Sequence, residues 1–241
     1  DIHVHRNCGG ADVLPENELP LMMEENDLAV ISVLADMGNG EVLDSKKDLP
    51  KVNGKDSPQS ELGRIIHWDA EWHWDATYSN FNHQALGGHL VLLGLTEAHQ
   101  VWEESPYKIL EWAKKQNAIS GFCHLQYLND QIQNELNCCI PMDYPVEAAL
   151  GTIDFVSEDV YGTTSTNNGT YNSEAAINAY YKLLNCGFRL GLAAGTDYPC
   201  NNYEPFGTLL TYVNVKDKAL TYRKWIEGIR NGHTVVSRNG H

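Results

Sequence analysis

Basic residues are scarce in this chain: 17 Lys and Arg stand against 32 Asp and Glu in 241 residues, a formal net charge of −15. Affinity for a nucleic-acid backbone rests on Lys and Arg contacts, so this balance argues against nucleic acid as a partner. No stretch approaches the ~20 apolar residues that span a bilayer, and no signal peptide is visible. The six cysteines, Cys8, Cys123, Cys138, Cys139, Cys186 and Cys200, include no CxxC, which argues against a zinc ribbon or a thioredoxin-type centre. Cys123 and Cys186 lie in apolar or small-residue runs and are expected as buried thiols, while vicinal Cys138 and Cys139 leave disulfide pairing open. Internal repeats are absent. The chain lacks an initiating Met, opens inside its first expected strand and stops after Asn239-Gly240-His241, as an excerpt of a longer protein does. Targeting signals, and with them the compartment, are therefore unreadable.

What is present suffices for a core. A hydrophobic content of 42% over 241 residues fits a single domain of barrel size, or two small ones, and the single domain over 1–241 is the expectation. Patterning predicts strands at 1–5, 28–35, 64–74, 89–95, 118–124, 152–158, 189–195, 208–215 and 233–237, with helices at 15–27, 105–116, 173–186 and 221–231. Ser105 reads as an N-cap with Pro106 in the first turn, and Gly187 as a helix stop. Segment 38–61 reads as a long exposed loop and 160–172 as a second. This βα alternation suggests a barrel rather than a sandwich.

The opening Asp1-Ile2-His3-Val4-His5 places two imidazoles on one face of an extended segment, since side chains alternate. Such a pair can grip a metal, although two surface histidines near a terminus look the same. A second segment is richer. In His67-Trp68-Asp69-Ala70-Glu71-Trp72-His73-Trp74-Asp75, odd positions carry five ionisable groups and even positions carry Trp and Ala. A merely wet strand face usually contains Lys, Thr or Ser; here no Lys offsets the acids, and a metal is the economical counter-charge. His124 closes the strand at 118–124, Glu158 the one at 152–158, and Asp197 follows the one at 189–195. Barrel sites are assembled at strand carboxyl ends. His89 is the exception, because it begins its strand.

These segments, with Gly88-His89-Leu90, Gly121-Phe122-Cys123-His124, the run Leu184-Asn185-Cys186-Gly187-Phe188 and Ala194-Gly195-Thr196-Asp197, resemble the polymerase-and-histidinol-phosphatase (PHP) type of metallohydrolase. The resemblance is strongest to its carbaryl-hydrolase-like (CehA/McbA) branch and covers essentially the whole chain. It implies a distorted (βα)7 barrel whose metal ligands are His3, His5, Glu71, His89, His124 and Asp197. Three departures accompany it: Thr-Asp-His reads Ala35-Asp36-Met37, a histidine is replaced by Pro199, and none occurs between Cys8 and Val13. As these groups would hold a third ion, the resemblance implies one or two divalent metals, Zn, Mn or Fe.

The implied chemistry is hydrolysis by a water whose pKa falls from ~15.7 toward neutrality on metal bridged by Glu71. Asp197 would take the proton, and His73 is the candidate acid or oxyanion donor, with second-shell or structural service as its plain alternative. Tyr127 and Glu158 are weaker candidates. His67, about 13 Å from Glu71 along an extended strand, is expected outside the metal shell. His83, His99, His233 and His241 are expected in loops or at the rim. Trp68, Trp72 and Trp74 read as core, with an aromatic substrate pocket as the alternative. The expected activity is cleavage of an ester, carbamate or amide-type bond in a small-molecule substrate. PHP-type phosphoester hydrolysis is the runner-up, opposed by the shortage of basic residues at strand ends, where only Arg6 and Arg189 fall. A non-catalytic, metal-stabilised binding domain is a third reading, and an adenosine-deaminase-like site is disfavoured by Glu71.

Overall fold

Residues 65–73 carry the strongest alternation in the chain, and the rest of the fold is arranged on the two faces they create. The computed structural model describes residues 1–8, 12–38, 45–73, 88–101, 105–123, 143–159, 175–200, 205–216 and 219–238. Its strands in chain order are Val4–His5 (β1), Asn7–Cys8 (β2), Asp12–Val13 (β3), Val30–Gly38 (β4), Ile65–His73 (β5), His89–Leu93 (β6), Ile119–Cys123 (β7), Phe155–Asp159 (β8), Gly191–Gly195 (β9), Leu209–Val213 (β10) and Thr234–Arg238 (β11). Its helices are Leu19–Glu25 (α1), Ser45–Asp48 (α2), Pro106–Lys115 (α3), Tyr144–Leu150 (α4), Ala175–Asn185 (α5) and Tyr222–Arg230 (α6).

Seven strands form one mixed sheet in the order β1-β4-β5-β6-β7-β8-β9. β1, β4 and β5 run parallel, as do β7, β8 and β9, while β6 is antiparallel to both its neighbours. The α/β alternation and the curled sheet agree with the sequence reading; the uniform strand direction of a (βα) barrel is broken at β6. The sheet curls into a half-barrel that brings β1 toward the end of β9. Val4 bridges Tyr198, the His5 amide donates to the Tyr198 carbonyl at 2.6 Å, and the Asp197 amide donates to that of His3 at 2.8 Å. Gly195 permits this approach, since a Cβ there would stand 2.7 Å from the His3 nitrogen and collide with its Cβ.

Alternation assigns the two faces. Ile31, Val33, Ala35 and Met37 of β4, with Ile66, Trp68, Ala70 and Trp72 of β5, pack against Met23, Ile109, Leu110, Ala113 and Leu183 of the surrounding helices. On the concave face, Tyr222, Trp225, Ile226 and Ile229 of α6 fill one end against Ile2, Val30, Leu34, Val91 and Leu93. With both faces covered, β5 is buried throughout, and its ionisable side is not wet. Burial of each large apolar side chain contributes about 1.5–3 kcal/mol. The local signals act as expected at α3, where the Ser105 hydroxyl accepts from the Tyr107 amide and Pro106 opens the helix.

Two expectations are corrected, and one further element appears. Segment 38–61 is not simply an exposed loop: it contains α2 and a 3-10 turn at Leu49–Lys51, and it buries Asp48, Leu49 and Val52. Leu49 and Val52 join the core, and Asp48 accepts a forked pair of hydrogen bonds from Arg6 at 2.9 and 3.2 Å. Helix α4, at a stretch without an assigned element, ends at Gly151 in the left-handed conformation that glycine adopts without cost (φ 68°). Cys186 is exposed rather than buried, because it follows α5 in the turn before Gly187; Cys123 is buried. Segment 160–172 lies outside the described residues. Among the described residues, no helix is long and apolar enough to cross a membrane.

Candidate metal centre

At the end of the concave face opposite α6, polar side chains replace apolar ones. His3 and His5 come from β1 and its approach, Asp36 from β4, Glu71 and His73 from β5, His89 from β6, and Asp197 from the turn after β9. The reversed course of β6 explains why His89 starts its strand. In an antiparallel neighbour the first residue lies beside the last residue of β5, and His89 pairs in register with His73 on one side and Cys123 on the other.

Two groups of ligand-type atoms result, each drawn together within 4.8 Å: His3, His5, Glu71 and Asp197 in one, Glu71, His73 and His89 in the other. In the first, His3 Nε2 lies 3.1 Å from His5 Nε2 and 3.1 Å from Glu71 Oε2, while His5 Nε2 lies 2.8 Å from the same oxygen. Asp197 Oδ1 stands 3.4 Å from both ring nitrogens. Ligands bound at ~2.0–2.2 Å to one cation sit roughly 3.0–3.5 Å from one another, so these separations match the edges of a coordination polyhedron. The donor set of imidazole and carboxylate suits zinc, manganese or iron. Asp197 is the open corner, with 14% of its side chain exposed against 0% and 1% for the two histidines.

Glu71 belongs to both groups. Its Oε2 faces His3, His5 and His73, and its Oε1 faces His89 Nδ1 at 2.9 Å and receives the Cys123 thiol at 3.4 Å. His73 Nε2 lies 3.1 Å from Glu71 Oε2 and 2.9 Å from Asp36 Oδ1. The His73 and His89 rings are 4.0 Å apart.

A separate set of hydrogen bonds fixes the backbone under these ligands. Asp1 accepts from the His3 amide at 3.1 Å, the Thr196 amide at 3.1 Å and the Thr196 hydroxyl at 2.6 Å. It thereby ties the histidine pair to the segment presenting Asp197. Asp197 itself takes a left-handed conformation (φ 52°), a costly state for a non-glycine residue that such surrounding bonds maintain. Cys200, three residues on, is disulfide-bonded.

Of the six residues expected as ligands, the structure therefore brings five together; His124 lies outside the described residues, as do Tyr127, His83, Trp74, His241 and the side chain of Glu158. His67 sits away from the cluster, buried with Nδ1 2.9 Å from Asp56 and its ring stacked on Tyr222. Trp68 and Trp72 are core. His99 is exposed with its ring edge-on to Trp112, and His233 is exposed before β11. Sequence reasoning passed over Asp36, treating Ala35-Asp36-Met37 only as the place of an absent histidine. Its parity with Ser32 and Leu34 was the available signal. Asp1 and Cys123 were likewise not singled out for the site.

Deeper on the concave face, Asp69 Oδ1 accepts from the Gly94 and Leu95 amides at 2.7 and 3.0 Å, and Tyr222 donates to its Oδ2. Burial raises the Asp69 carboxyl above its ordinary range and, with Asp69 beside it, raises the Tyr222 phenol well above 10. This polar link joins α6 to β5 beneath the cluster of candidate ligands.

No family model and no curated protein matches the sequence. Among solved structures, the chain is similar to a two-domain protein from Bacteroides vulgatus described as containing a predicted PHP-like metal-dependent phosphoesterase, with a TM-score of 0.59 and 16% identity. The match covers 99% of this chain and 64% of that one, so the chain spans less than two-thirds of that protein's length. The likeness is one of fold: this chain has an α/β architecture like that of a PHP-like metal-dependent phosphoesterase domain, with a cluster of His, Glu and Asp suited to divalent metal.

Proposed function

We propose that the chain is a metal-dependent hydrolase, built as a distorted (βα)7 barrel of the PHP type, and that phosphoesters are its first substrate class. The observation that carries this reading is the convergence of His3, His5, Glu71 and Asp197 at ligand–ligand distances of 2.8–3.4 Å, with Glu71 shared by a second group. His3, His5 and Asp197 would hold one divalent cation and His89 a second, with Glu71 placed to serve both; His124 is assigned to the second by the sequence resemblance. When bound there, such cations would supply a water acidic enough to attack near neutral pH and positive charge for phosphoryl oxygens. Asp197, partly exposed and with a second carboxylate oxygen, would be the group to accept the proton of an attacking water. Asp1 and Thr196 hold Asp197 toward the histidine pair, and the Cys123 thiol and His89 orient Glu71.

The fold likeness to a phosphoesterase domain moves phosphoesters ahead of the ester, carbamate or amide bonds expected from sequence. One observation supports the latter as a second reading. Arg6, a basic residue beside the site in sequence, is forked onto Asp48 and so is engaged away from any phosphate. A test is to load the chelator-stripped protein with Zn or Mn and assay aryl phosphomonoesters, phosphodiesters, carbamates and carboxylic esters. Turnover of a phosphoester, abolished by chelator, is expected. Carbamate or ester turnover alone would transfer the assignment to the second reading, and tight metal binding without any turnover would favour a non-catalytic domain.

A further inference from the structure

We propose that a cleft at the α6 end of the half-barrel binds a small oxyanion that also carries a hydroxyl, the chemistry shared by hydrogen phosphate and the hydroxy acids. The site is separate from the cluster of candidate metal ligands and does not depend on it. His67, on the wall of the cleft, precedes Glu71 by four residues of β5, about 13 Å along an extended strand.

The cleft has a volume of about 530 Å³, and Lys55, Asp56, His67, Gln116, Tyr222 and Arg223 are among the residues that line it. Two firmly held polar atoms on its walls have no partner. His67 is 4% exposed, its ring lies on that of Tyr222 with centroids 3.8 Å apart and planes 8° from parallel, and its Nδ1 is 2.9 Å from Asp56 Oδ1. An ionised carboxylate only accepts, so Nδ1 bears the proton between them and Nε2 of the neutral ring is left as an acceptor. That Nε2 is buried and makes no hydrogen bond among the described residues. Gln116 repeats the arrangement with the opposite sense. Its Oε1 accepts from the Thr96 amide at 2.8 Å, the Thr96 hydroxyl at 2.9 Å and the Glu97 amide at 3.0 Å. Three donors on one oxygen fix the orientation of the side-chain amide, so Nε2 is a donor held in place. It too is buried and makes no hydrogen bond among the described residues. Buried polar groups are nearly always hydrogen-bonded, and two exceptions on one cleft call for a common partner. Such a partner gives an O–H to His67 and accepts from Gln116.

The surrounding charge sets the sign of that partner. Although the chain has 32 acids to 17 bases, Lys55 makes no ion pair among the described residues. Arg223 is fixed beside the cleft by the Asn117 carbonyl at 2.8 and 2.9 Å and by Glu227 at 3.0 Å. α6 begins at the same place, with the Thr221 hydroxyl capping the Lys224 amide, and the N-terminus of a helix favours an anion. Among the described residues, Asp56 is the one acid on the lining, and its carboxylate is turned to His67.

The experiment is calorimetric titration of the protein as purified, at constant ionic strength, with inorganic phosphate and lactate and with sulfate and acetate as controls. Phosphate or lactate should bind more tightly than its control, which has no O–H to give His67, and the tighter of the two separates a phosphate site from a hydroxy-acid site. Gln116→Glu keeps the oxygen used by Thr96 and Glu97 and puts a charge in place of the donor, so it should weaken binding by at least ~10-fold. Lys55→Glu, at an exposed position, should also weaken it and carries the test if Gln116→Glu fails to fold. Glu71→Gln should leave binding unchanged. Wild-type affinity in both cleft variants overturns the proposal, as does the absence of binding by phosphate and lactate alike. Binding that Glu71→Gln abolishes overturns it as well, because the anion then sits at the candidate metal ligands. Controls bound as tightly as phosphate and lactate overturn the hydroxyl requirement.

Discussion

Glu71 is the residue on which the site turns, because a carboxylate has two charged oxygens and each faces a different set of histidines. Glu71→Gln keeps the volume but offers one good acceptor and no charge. Metal content should fall by about one equivalent in elemental analysis, and hydrolysis of a competent substrate by at least ~10²-fold, the scale of losing a key electrostatic group. Circular dichroism should stay near wild type, since Trp68, Ala70 and Trp72 on the opposite face of β5 are untouched. Full activity with full metal content would rule out the shared-carboxylate mechanism. Unfolding would mark the metal as structural. The alternation of 67–75 made Glu71 legible in the sequence, because period two on a strand separates faces without help from distant residues. Asp36 was not legible in that way: β4 is buried on both faces, so its apolar neighbours hide which side the lone acid takes.

Among the elements, α6 shows how far the fold could be read. Its bounds follow from sequence, as do those of β4, β5, β7 and β9 to within a few residues. That it plugs the concave face does not, because helical periodicity says which side is apolar and nothing about which sheet face receives it. Strand direction is equally silent, which is why His89 stood as an anomaly until β6 was seen to run opposite to β5. α4 escaped notice because seven residues containing a proline give barely two turns of pattern. The anchor of α6 is Tyr222, whose hydroxyl donates to Asp69 and lies 2.7 Å from Ser32 Oγ. Tyr222→Phe should cost about 1–3 kcal/mol in denaturant unfolding at neutral pH, because the buried Asp69 Oδ2 loses the Tyr222 hydroxyl as donor. The pH dependence has a definite sign. A phenol raised in the folded state contributes stability that is present below pH 10 and is lost as pH climbs through its higher folded value. Wild type should therefore lose stability in the alkaline range faster than Tyr222→Phe, and parallel alkaline limbs would contradict this account of the link.

For the molecule as a whole, the proposed function couples acidity to metal. A chain with a net charge of −15 gathers Asp36, Glu71 and Asp197 at one end of its sheet, so cations bound there would relieve repulsion as well as supply chemistry. A cation that binds only the folded state, present at 100 times its Kd, adds about 2.7 kcal/mol, which for a chain of this size raises Tm by roughly 5–10 °C. Calorimetry before and after chelation should show a fall of that order, reversed by Zn or Mn but not by Mg at equal ionic strength. An unchanged Tm would mean that the cluster holds its shape without cations.

The backward course of β6 has a consequence for how the site tolerates changes in chain length. In β1, β4 and β5 the polar residue comes at the close of the strand, so a residue gained or lost along the strand turns it from the concave face into the helix layer. In β6 the histidine leads, and trimming the far end at Leu93 leaves His89 where it stands. The site thus divides its dependence between strands that must be counted to their last residue and one that need only begin correctly.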